Sequence, residues 1–384
     1  MKRFISLLLA LTLLALTACA GTEPKGAAAT RTVTDVWGRQ VEIPETVESI
    51  VCLGSMAPRF AAYLDVVELM VGAEDSDIKA MSARYDYSLV YHERLRELPP
   101  VGAGGGSGEN NAYPEQIIQA APDVILAGFS AESCEELQRQ TGIPVVSVRY
   151  RAQGFLDEGL YKTLRLFADV VGAQERCEEL LAFFDACKAD LSERTGDLPE
   201  SEKPRVYTGA VTFNGRHGFA FTYVNFPVFD AIGACNVADE LLQERVGQAM
   251  EAAAESGNAY VGSNGFEVDW EQIIAWDPDV IFLDPANLDL VNDEYRTSPG
   301  LFQSLRAVQE GQVYAMPSAN AAGPNITYLL IDAYYAGMVL CPERFADIKL
   351  EQKAGEIMEA LLGRDFFAEM EAGGLYCGRI TIGA

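Results

Sequence analysis

One loop of the chain concentrates side chains that can bind a small solute. Residues 212–219 place Asn214, Arg216 and His217 among aromatic residues and two glycines. An arginine can pair with a carboxylate or an oxyanion, and a histidine can ligate a metal or hydrogen-bond a chelate. Because glycine lets the backbone approach a ligand closely, we predict that this loop lines a binding site. Alternatively, His217 is a structural or surface residue.

Further candidates occur where loops should follow the carboxyl ends of strands, since open α/β sheets bind ligands there. Residues 55–59, 102–113 and 128–129 are three such loops. Outside the loop at 212–219, the predicted ligand residues are Ser55, Met56, Arg59, Tyr113, Phe129, Tyr223, Asn225 and Asn320. Arg151 and Asn325 are weaker candidates, and Arg59 alternatively does no more than decorate a helix.

The residue types speak against a bare metal site and against catalysis. His92 and His217 are the only histidines, whereas a zinc or manganese cage needs several histidines and carboxylates. A chelated metal brings its own ligands, so the protein needs only shape, aromatic surface and a few donors. Gly-x-Ser-x-Gly, His-Glu-x-x-His and a Gly-x-Gly-x-x-Gly run after a strand are all missing from the sequence. We therefore predict no enzyme activity, no protein-held metal and no cofactor.

The elements that must position these loops are indicated by a repeat. Tyr113 is followed by Pro-Glu-Gln-Ile-Ile and then by Pro-Asp-Val-Ile at 122–125. Asp269, 156 residues later, is followed by Trp-Glu-Gln-Ile-Ile and then by Pro-Asp-Val-Ile at 278–281. This distance is far longer than a solenoid period. It predicts two similar lobes, each with a helix leading into a buried strand, and a ligand cleft between them.

Strand and helix patterns alternate along the chain, which is typical of an α/β protein with parallel sheets. The expected fold class is α/β, with two similar three-layer lobes around mainly parallel sheets, joined by one long helix. That helix, at 174–195, would be about 33 Å long at 1.5 Å per residue. The predicted domains are an N-terminal lobe at 31–152, a helical connector at 153–198 and a C-terminal lobe with terminal helices at 199–384.

The N-terminus has the pattern of an export signal. Residues 1–18 combine a basic start with an apolar run at 4–16, which is too short to span a bilayer. The Leu-Thr-Ala-Cys sequence that ends at Cys19 resembles the bacterial lipoprotein cleavage box. We predict a signal peptide at 1–18, lipidation of Cys19, a lipidated tether at 19–30 and anchoring on the extracytoplasmic face of the cell membrane. The alternative is ordinary secretion, with Cys19 incidental.

The composition of the chain limits the classes of molecule that it is expected to bind. The 384 residues include 29 basic and 56 acidic side chains, and the net charge is −27. This excess argues against nucleic-acid binding, which requires a basic face. It favours a cationic or metal-containing ligand, or it simply keeps the surface soluble. Seven further cysteines are scattered without a Cys-x-x-Cys pair, so we expect them to be small core residues rather than a disulfide framework.

The lipoprotein box, the two α/β lobes and the helical connector together resemble the substrate-binding lipoproteins of ABC importers. The resemblance is to the subgroup with a rigid helical backbone, which takes cobalamin, haem, iron-siderophores and some metal ions or oxyanions. It covers residues 31–384, and the stretch at 334–348 looks like the iron-complex branch. Its most specific features are residues 34–44, the strand at 50–55 and the paired Glu-Gln-Ile-Ile and Pro-Asp-Val-Ile segments.

The resemblance implies a protein that captures an iron chelate (a siderophore or haem) or related metal complex and delivers it to an ABC permease with its ATPase. In that family one exposed acid on each lobe meets arginines of the permease, and these positions correspond to Glu115 and Glu271. A carboxylate is favoured in a first helical turn, so both glutamates alternatively only stabilise helix starts. Other functions left open are binding of a molybdate- or tungstate-type oxyanion or of cobalamin, a ligand-sensing lipoprotein, and a cleft enzyme.

Overall fold

The computed structural model describes residues 29–79, 81–105, 110–241, 265–321 and 323–383. The predicted signal peptide, Cys19 and most of the predicted tether lie outside these residues, as do residues 106–109 of the loop at 102–113. Within the described ranges, every helix is too short or too polar to cross a membrane.

The first lobe is built on a five-stranded parallel sheet with the strand order β5-β4-β3-β6-β7. An antiparallel hairpin precedes it. The strands are β1 (Thr30–Thr34), β2 (Gln40–Pro44), β3 (Ile50–Leu53), β4 (Met70–Glu74), β5 (Pro100–Gly102), β6 (Val124–Ala127) and β7 (Val145–Ser147). All four residues of β3 and of β6 are buried, which explains their uninterrupted apolar sequences, because a parallel sheet is covered on both faces.

Helices flank this sheet. They are α1 (Ala57–Tyr63), α2 (Asp75–Lys79), α3 (Asp86–Leu95), α4 (Pro114–Ala120) and α5 (Ala131–Thr141). Proline in the first turn of α1 and of α4 suits a helix start, because the missing N–H would have no partner there. Ser130 caps α5 by accepting a hydrogen bond from the Ser133 N–H.

Two helices link the lobes, α6 (Glu158–Val171) and α7 (Gln174–Thr195). The second has the predicted bounds and contacts both parts of the molecule. Arg176 of α7 donates to the Tyr63 carbonyl of the first lobe at 3.1 Å and to the Ala360 carbonyl near the C-terminus at 2.5 Å. At the other end of α7, Arg194 binds Asp347 at 2.6 Å. The domain boundaries at 152 and 198 stay predictions.

The second lobe contains a sheet with the order β10-β8-β12-β13-β14, parallel except for β14. A short antiparallel pair, β9 with β11, lies beside it. The strands are β8 (Arg205–Gly209), β9 (Phe221–Thr222), β10 (Cys235–Asn236), β11 (Phe266–Glu267), β12 (Val280–Leu283), β13 (Val313–Ala315) and β14 (Gly378–Arg379).

The remaining helices complete the second lobe and then return to the first. They are α8 (Pro227–Ala231), α9 (Trp270–Trp276), α10 (Leu288–Thr297), α11 (Pro299–Gln303), α12 (Arg306–Gln309), α13 (Ile326–Leu340), α14 (Leu350–Leu362) and α15 (Phe367–Ala372). Between α14 and α15, Arg364 donates to the Leu89 carbonyl of α3 at 2.6 Å. The C-terminal helices therefore pack on both lobes.

The two sequence repeats form equivalent structures. In each, a seven-residue helix (α4 or α9) ends at a residue in the left-handed conformation, Ala121 or Asp277, and leads into a central buried strand. One apolar core runs from the first lobe through the connector into the second, and it includes Phe60, Phe184 and Phe282. The predicted fold class is confirmed.

Candidate ligand-binding site between the lobes

A cavity of about 870 Å³ lies between the lobes. Its walls are loops that follow the carboxyl ends of β3, β7, β8, β12 and β13, as expected for open parallel sheets, together with the turn between α2 and α3. The main lining stretches are residues 84–85, 150–152, 211–215, 316–321 and 323–324, with Ser55, Thr208, Tyr223, Phe226, Pro227, Asp284 and Leu329 between them.

Two arginines and several neutral hydrogen-bonding groups lie in this lining beside apolar side chains. Arg84 and Arg151 both face the cavity. Guanidinium groups present several N–H donors in a plane and therefore suit carboxylates and oxyanions. Tyr85, Tyr150 and Tyr223 add aromatic surface to the same walls. The cavity can thus hold an anionic solute that also offers flat or apolar surface.

The second-lobe side of the cavity is held by a local hydrogen-bond network. Thr212 donates from its hydroxyl to Asp284 at 2.6 Å, and Asn287 donates from Nδ2 to the Thr212 hydroxyl at 3.0 Å. Tyr223 donates to the Thr212 carbonyl at 2.8 Å. Thr212, Tyr223 and Asp284 therefore have fixed orientations before any ligand arrives, since each bonds to a neighbour.

Two buried acids lie in the second lobe at this side. Burial raises the pKa of Asp284, and the Thr212 hydrogen bond opposes that rise. Burial, and then the nearby Asp284, raise the pKa of Asp332 well above its usual value. Neither carboxyl oxygen of Asp332 has a hydrogen-bond partner in the described part of the chain, which favours the neutral acid. Burial therefore opposes ionisation of both carboxyls at this side of the cavity.

The structure brings four of the predicted ligand residues to this cavity. Ser55 of the first lobe lies in the lining, as do Asn214, Tyr223 and Asn320 of the second. Arg151, named as a weaker candidate, lies there too. Contact of these residues with a ligand stays a prediction.

Three predicted residues of the second lobe lie outside the cavity lining and hold its loops instead. Arg216 forms an ion pair with Asp289 and donates from Nε to Asn287 Oδ1 at 3.1 Å. His217 stacks on Phe221 with ring centroids 3.6 Å apart, and its Nε2 lies 2.7 Å from the Phe213 carbonyl. Asn225 has a positive φ of 48° and donates its backbone N–H to Asp239. These contacts turn the side chains of Arg216 and His217 towards protein rather than towards a ligand.

Four predicted residues of the first lobe also lie outside the lining. Arg59 is only 1% exposed and forms a buried ion pair with Asp86. Met56 beside it is equally buried. Phe129 is fully buried under Gly54. Tyr113 donates its hydroxyl to Asp75 at 3.1 Å. Asn325, the other weaker candidate, is buried and caps α13 by accepting a hydrogen bond from the Tyr328 N–H.

Several lining residues were not predicted, and the reason differs between them. Tyr150 follows β7, so the rule that selected the loop after β3 would have selected it as well. Arg84 and Tyr85 lie in a turn between two helices rather than at a strand end. No pattern in the sequence indicates that this turn lines the cavity.

The two glutamates expected to dock a permease are both exposed. Glu115 lies in the first turn of α4 and Glu271 in the first turn of α9, at equivalent points of the repeat. The described residues contain no group of three or more histidine, cysteine and acidic side chains placed to hold a metal ion.

Comparisons with known proteins agree with this architecture. The chain is 24% identical over 353 residues to the molybdate-binding protein MolA of Haemophilus influenzae, a match that covers 86% of this chain and 90% of MolA. The molybdate-bound structure of MolA superposes with a TM-score of 0.64 at 20% identity, covering 88% of this chain and 99% of that one.

Two other proteins extend the comparison. The Fe(3+)-citrate-binding protein YfmC of Bacillus subtilis is 24% identical over 200 residues, covering 52% of this chain and 55% of YfmC. A periplasmic solute-binding protein of Veillonella parvula superposes with a TM-score of 0.65 at 18% identity, covering 90% of this chain and 97% of that one.

The resemblance noted in the sequence is therefore confirmed at the level of the family. The matching family model, described as periplasmic binding protein, spans residues 63–319, which is more than half of the chain. Its members and the structural relatives named here are solute-binding proteins of transport systems rather than enzymes. The chain belongs to the periplasmic binding protein family.

Proposed function

We propose that the protein captures an anionic metal chelate, of the iron-chelate class, and delivers it to an ABC permease driven by its ATPase. The observation that carries this proposal is the pair Arg84 and Arg151 facing one cavity of about 870 Å³ between the lobes. A chelate with free carboxylates would meet both guanidinium groups, while its organic part would lie against the tyrosines. No bond is made or broken in this mechanism.

Cavity size favours a chelate over a bare oxyanion. Pockets for organic ligands measure roughly 300–1,000 Å³, and this cavity falls within that range. A tetrahedral oxyanion is only a few times larger than a water molecule, whose share of liquid volume is about 30 Å³. It would leave most of the cavity filled with solvent. The relationship to YfmC supports the same ligand class.

A molybdate-type oxyanion is the second candidate, because MolA matches more of the chain than YfmC does. Arginine, serine and threonine groups in the lining also suit such an ion. A single oxyanion would fill only part of the cavity.

Calorimetric titration of the ligand-free protein separates these candidates. Ferric citrate, haem, cobalamin and sodium molybdate are titrated in turn, with iron-free citrate as the matched control for ferric citrate. Binding of ferric citrate or haem at micromolar or lower Kd, with no heat from molybdate, is the expected result. Heat from molybdate alone would replace the chelate proposal with the oxyanion one. Absence of binding by all four would contradict both.

We further propose that Glu115 and Glu271 dock the two lobes onto the permease. Both are exposed, and their equivalent positions in the repeat would present one carboxylate from each lobe. Such a pair would let arginines of the permease sense the relative position of the lobes.

The lipid anchor is proposed on sequence grounds, from the cleavage box that ends at Cys19. A Cys19→Ser variant expressed in a bacterial host should lose incorporation of radiolabelled palmitate and leave the membrane fraction. Equal labelling of the variant and the wild type would reject the anchor, while leaving ligand capture untouched.

A further inference from the structure

The cavity wall that belongs to each lobe is fastened by side chains of the other lobe. From the first lobe, Arg59 of α1 donates from Nη2 to the carbonyl of Ala321 at 2.9 Å and from Nη1 to the carbonyl of Pro324 at 3.4 Å. Both carbonyls belong to the second-lobe loop that lines the cavity after β13. Arg59 therefore holds in place a part of the cavity wall that belongs to the other lobe.

The second lobe makes the reciprocal contacts. Asn325 donates from Nδ2 to the carbonyl of Arg84 at 3.2 Å, and the hydroxyl of Tyr328 donates to the carbonyl of Ala83 at 2.5 Å. Arg84 and the adjacent Tyr85 form the first-lobe turn that lines the cavity. The side chain of Arg84 faces the cavity, and hydrogen bonds from Asn325 and from α13 hold the backbone of its turn.

Asp86 joins the two sets of contacts. Its carboxylate accepts from Arg59 Nε at 2.8 Å, from the Tyr63 hydroxyl at 2.6 Å and from the Thr327 hydroxyl at 2.7 Å. Asp86 begins α3, directly after the turn that carries Arg84, and Thr327 lies in the first turn of α13. Neither Arg59 nor Asp86 is more than 1% exposed, so their charges are paired out of contact with water.

A buried ion pair is more useful for fixing geometry than for raising stability. Removing two charges from water costs several kcal/mol per ion, and their attraction roughly repays this only when the surrounding hydrogen bonds are complete. Here the Arg59 guanidinium and the Asp86 carboxylate both have such hydrogen bonds, and some of these bonds cross between the lobes. The backbone around Gly323 is also closely packed, because a Cβ there would lie 2.8 Å from Met56 Sδ. The loop after β13 has little freedom to move away from α1.

We propose that Arg59, Asp86, Asn325 and Tyr328, the interlobe clamp, are positioning residues for the ligand. Each lobe sets the ligand-facing geometry of the other, so that Arg84 and residues 319–321 and 323–324 are held in place before ligand binds. This proposal deepens the proposed function, since it takes the cavity to be the ligand site. The clamp residues themselves do not line the cavity.

Tyr328→Phe is the first test, because it removes one hydroxyl and leaves the ring in place. Tyr334→Phe is the matched control: Tyr334 is on the same helix, and its hydroxyl donates to Asp190 of α7 at 2.8 Å, away from the cavity. Amide hydrogen exchange of the full ligand-free chain is followed by mass spectrometry. We expect faster exchange in residues 82–86 of the first lobe for Tyr328→Phe and not for Tyr334→Phe. Unchanged exchange in that turn would overturn the proposal.

Arg59→Met tests the opposite direction, with Arg165→Met as the control for loss of an arginine. Arg165 pairs with Glu178 on the exposed side of α6 and α7. Arg59→Met should speed exchange in the second-lobe residues 316–321 and 323–324, while Arg165→Met should not. If Arg59→Met fails to fold, Thr327→Val offers a milder loss, with Thr327→Ser restoring the hydroxyl and the wild-type exchange.

A ligand readout separates positioning from plain stability. With ferric citrate as the probe, Tyr328→Phe should weaken binding about fivefold, the size of one hydrogen bond's contribution, whereas Tyr334→Phe should bind as the wild type does. Equal affinities of the two variants for a probe that the wild type binds would contradict the clamp. If the wild type binds none of ferric citrate, haem, cobalamin and molybdate, the proposed function fails, while the exchange experiment still decides whether the clamp exists.

Discussion

Asp123 and Asp279 hold equivalent places in the two lobes, 156 residues apart, and bind the same kind of group. Oδ2 of Asp123 accepts backbone N–H bonds from Glu48 and Ser49 at 2.9 Å. Oδ2 of Asp279 accepts the backbone N–H of Arg205 at 3.1 Å. Each carboxylate ties the start of one central strand to the start of its neighbour. The repeated Pro-Asp-Val-Ile sequence therefore encodes a sheet-building contact in both lobes.

Asp123→Ala should destabilise the protein. The change removes three hydrogen bonds to a carboxylate, from the N–H groups of Glu48 and Ser49 and from the Ser49 hydroxyl. We expect the free energy of unfolding to fall by about 2 kcal/mol, as for loss of charge-assisted hydrogen bonds. Urea unfolding measures the change, and Asp293→Ala, which breaks an exposed ion pair with Arg296, is the control. Equal unfolding midpoints for the two variants would be evidence against this role.

Arg84→Met should weaken binding of an anionic probe. The change keeps an apolar stem of similar length and removes the guanidinium that faces the cavity. Because hydrogen bonds to charged groups contribute roughly 1.5–3 kcal/mol, we expect the Kd for ferric citrate to rise about 10- to 100-fold. Arg94→Met is the matched control, since Arg94 lies in α3 and pairs with the exposed Glu68 outside the cavity lining. An unchanged Kd would remove Arg84 from the site.

Reversal of both docking charges should abolish transport and spare ligand binding. In Glu115→Arg with Glu271→Arg, each lobe would present a positive charge to the arginines proposed on the permease. Glu132→Arg is the control, because Glu132 is also exposed in a first helical turn, that of α5. Uptake of radioactive iron supplied as ferric citrate, measured beside the Kd of each purified variant, tests this. Normal uptake by the double variant would refute the docking proposal.

Glu74→Gln should remove a pH dependence of stability. Burial raises the pKa of the Glu74 carboxyl from 4.5 to about 8, although the Gly54 N–H that it accepts at 2.9 Å opposes the rise. Between these pH values the unfolded chain releases the proton and the folded chain keeps it. The free energy of unfolding of the wild type should therefore fall as pH rises from 4.5 to 8, by on the order of a few kcal/mol.

Glutamine accepts the same N–H and carries no proton to release, so the variant should lose less stability across this range. Chemical unfolding of both proteins at pH 4, 6 and 8 makes the comparison, and the difference between them should grow with pH. Parallel curves from pH 4 to 8 would show that Glu74 does not titrate in this way.

The elements that repeat or keep helical spacing could be predicted from the sequence. The connector helix has the predicted bounds at Gln174–Thr195. Local signals were sufficient there, because apolar side chains recur on one face and glycine or proline marks the ends. The buried strands β6 and β12 were predictable for the same reason.

The roles of individual arginines could not be predicted. Arg59 follows a strand end and was therefore expected to meet ligand, but its partners lie far away in sequence. Asp86 is 27 positions away, and the Ala321 carbonyl is 262 positions away. Arg84 reaches the cavity from a turn whose backbone carbonyls accept hydrogen bonds from the second lobe. The burial of Arg59 and the partial exposure of Arg84 depend on how the lobes meet, which local sequence does not encode.

The contacts that cross between the lobes bear on how specificity can be redesigned. A chimera that takes one half from this protein and the other from a relative would separate Arg59 from the Ala321 carbonyl and Arg84 from Asn325. Each half of the chimera would then lack the residues of the other lobe that position its part of the cavity wall. Directed evolution of a biosensor from this scaffold should therefore exchange the contacting surfaces of both lobes together.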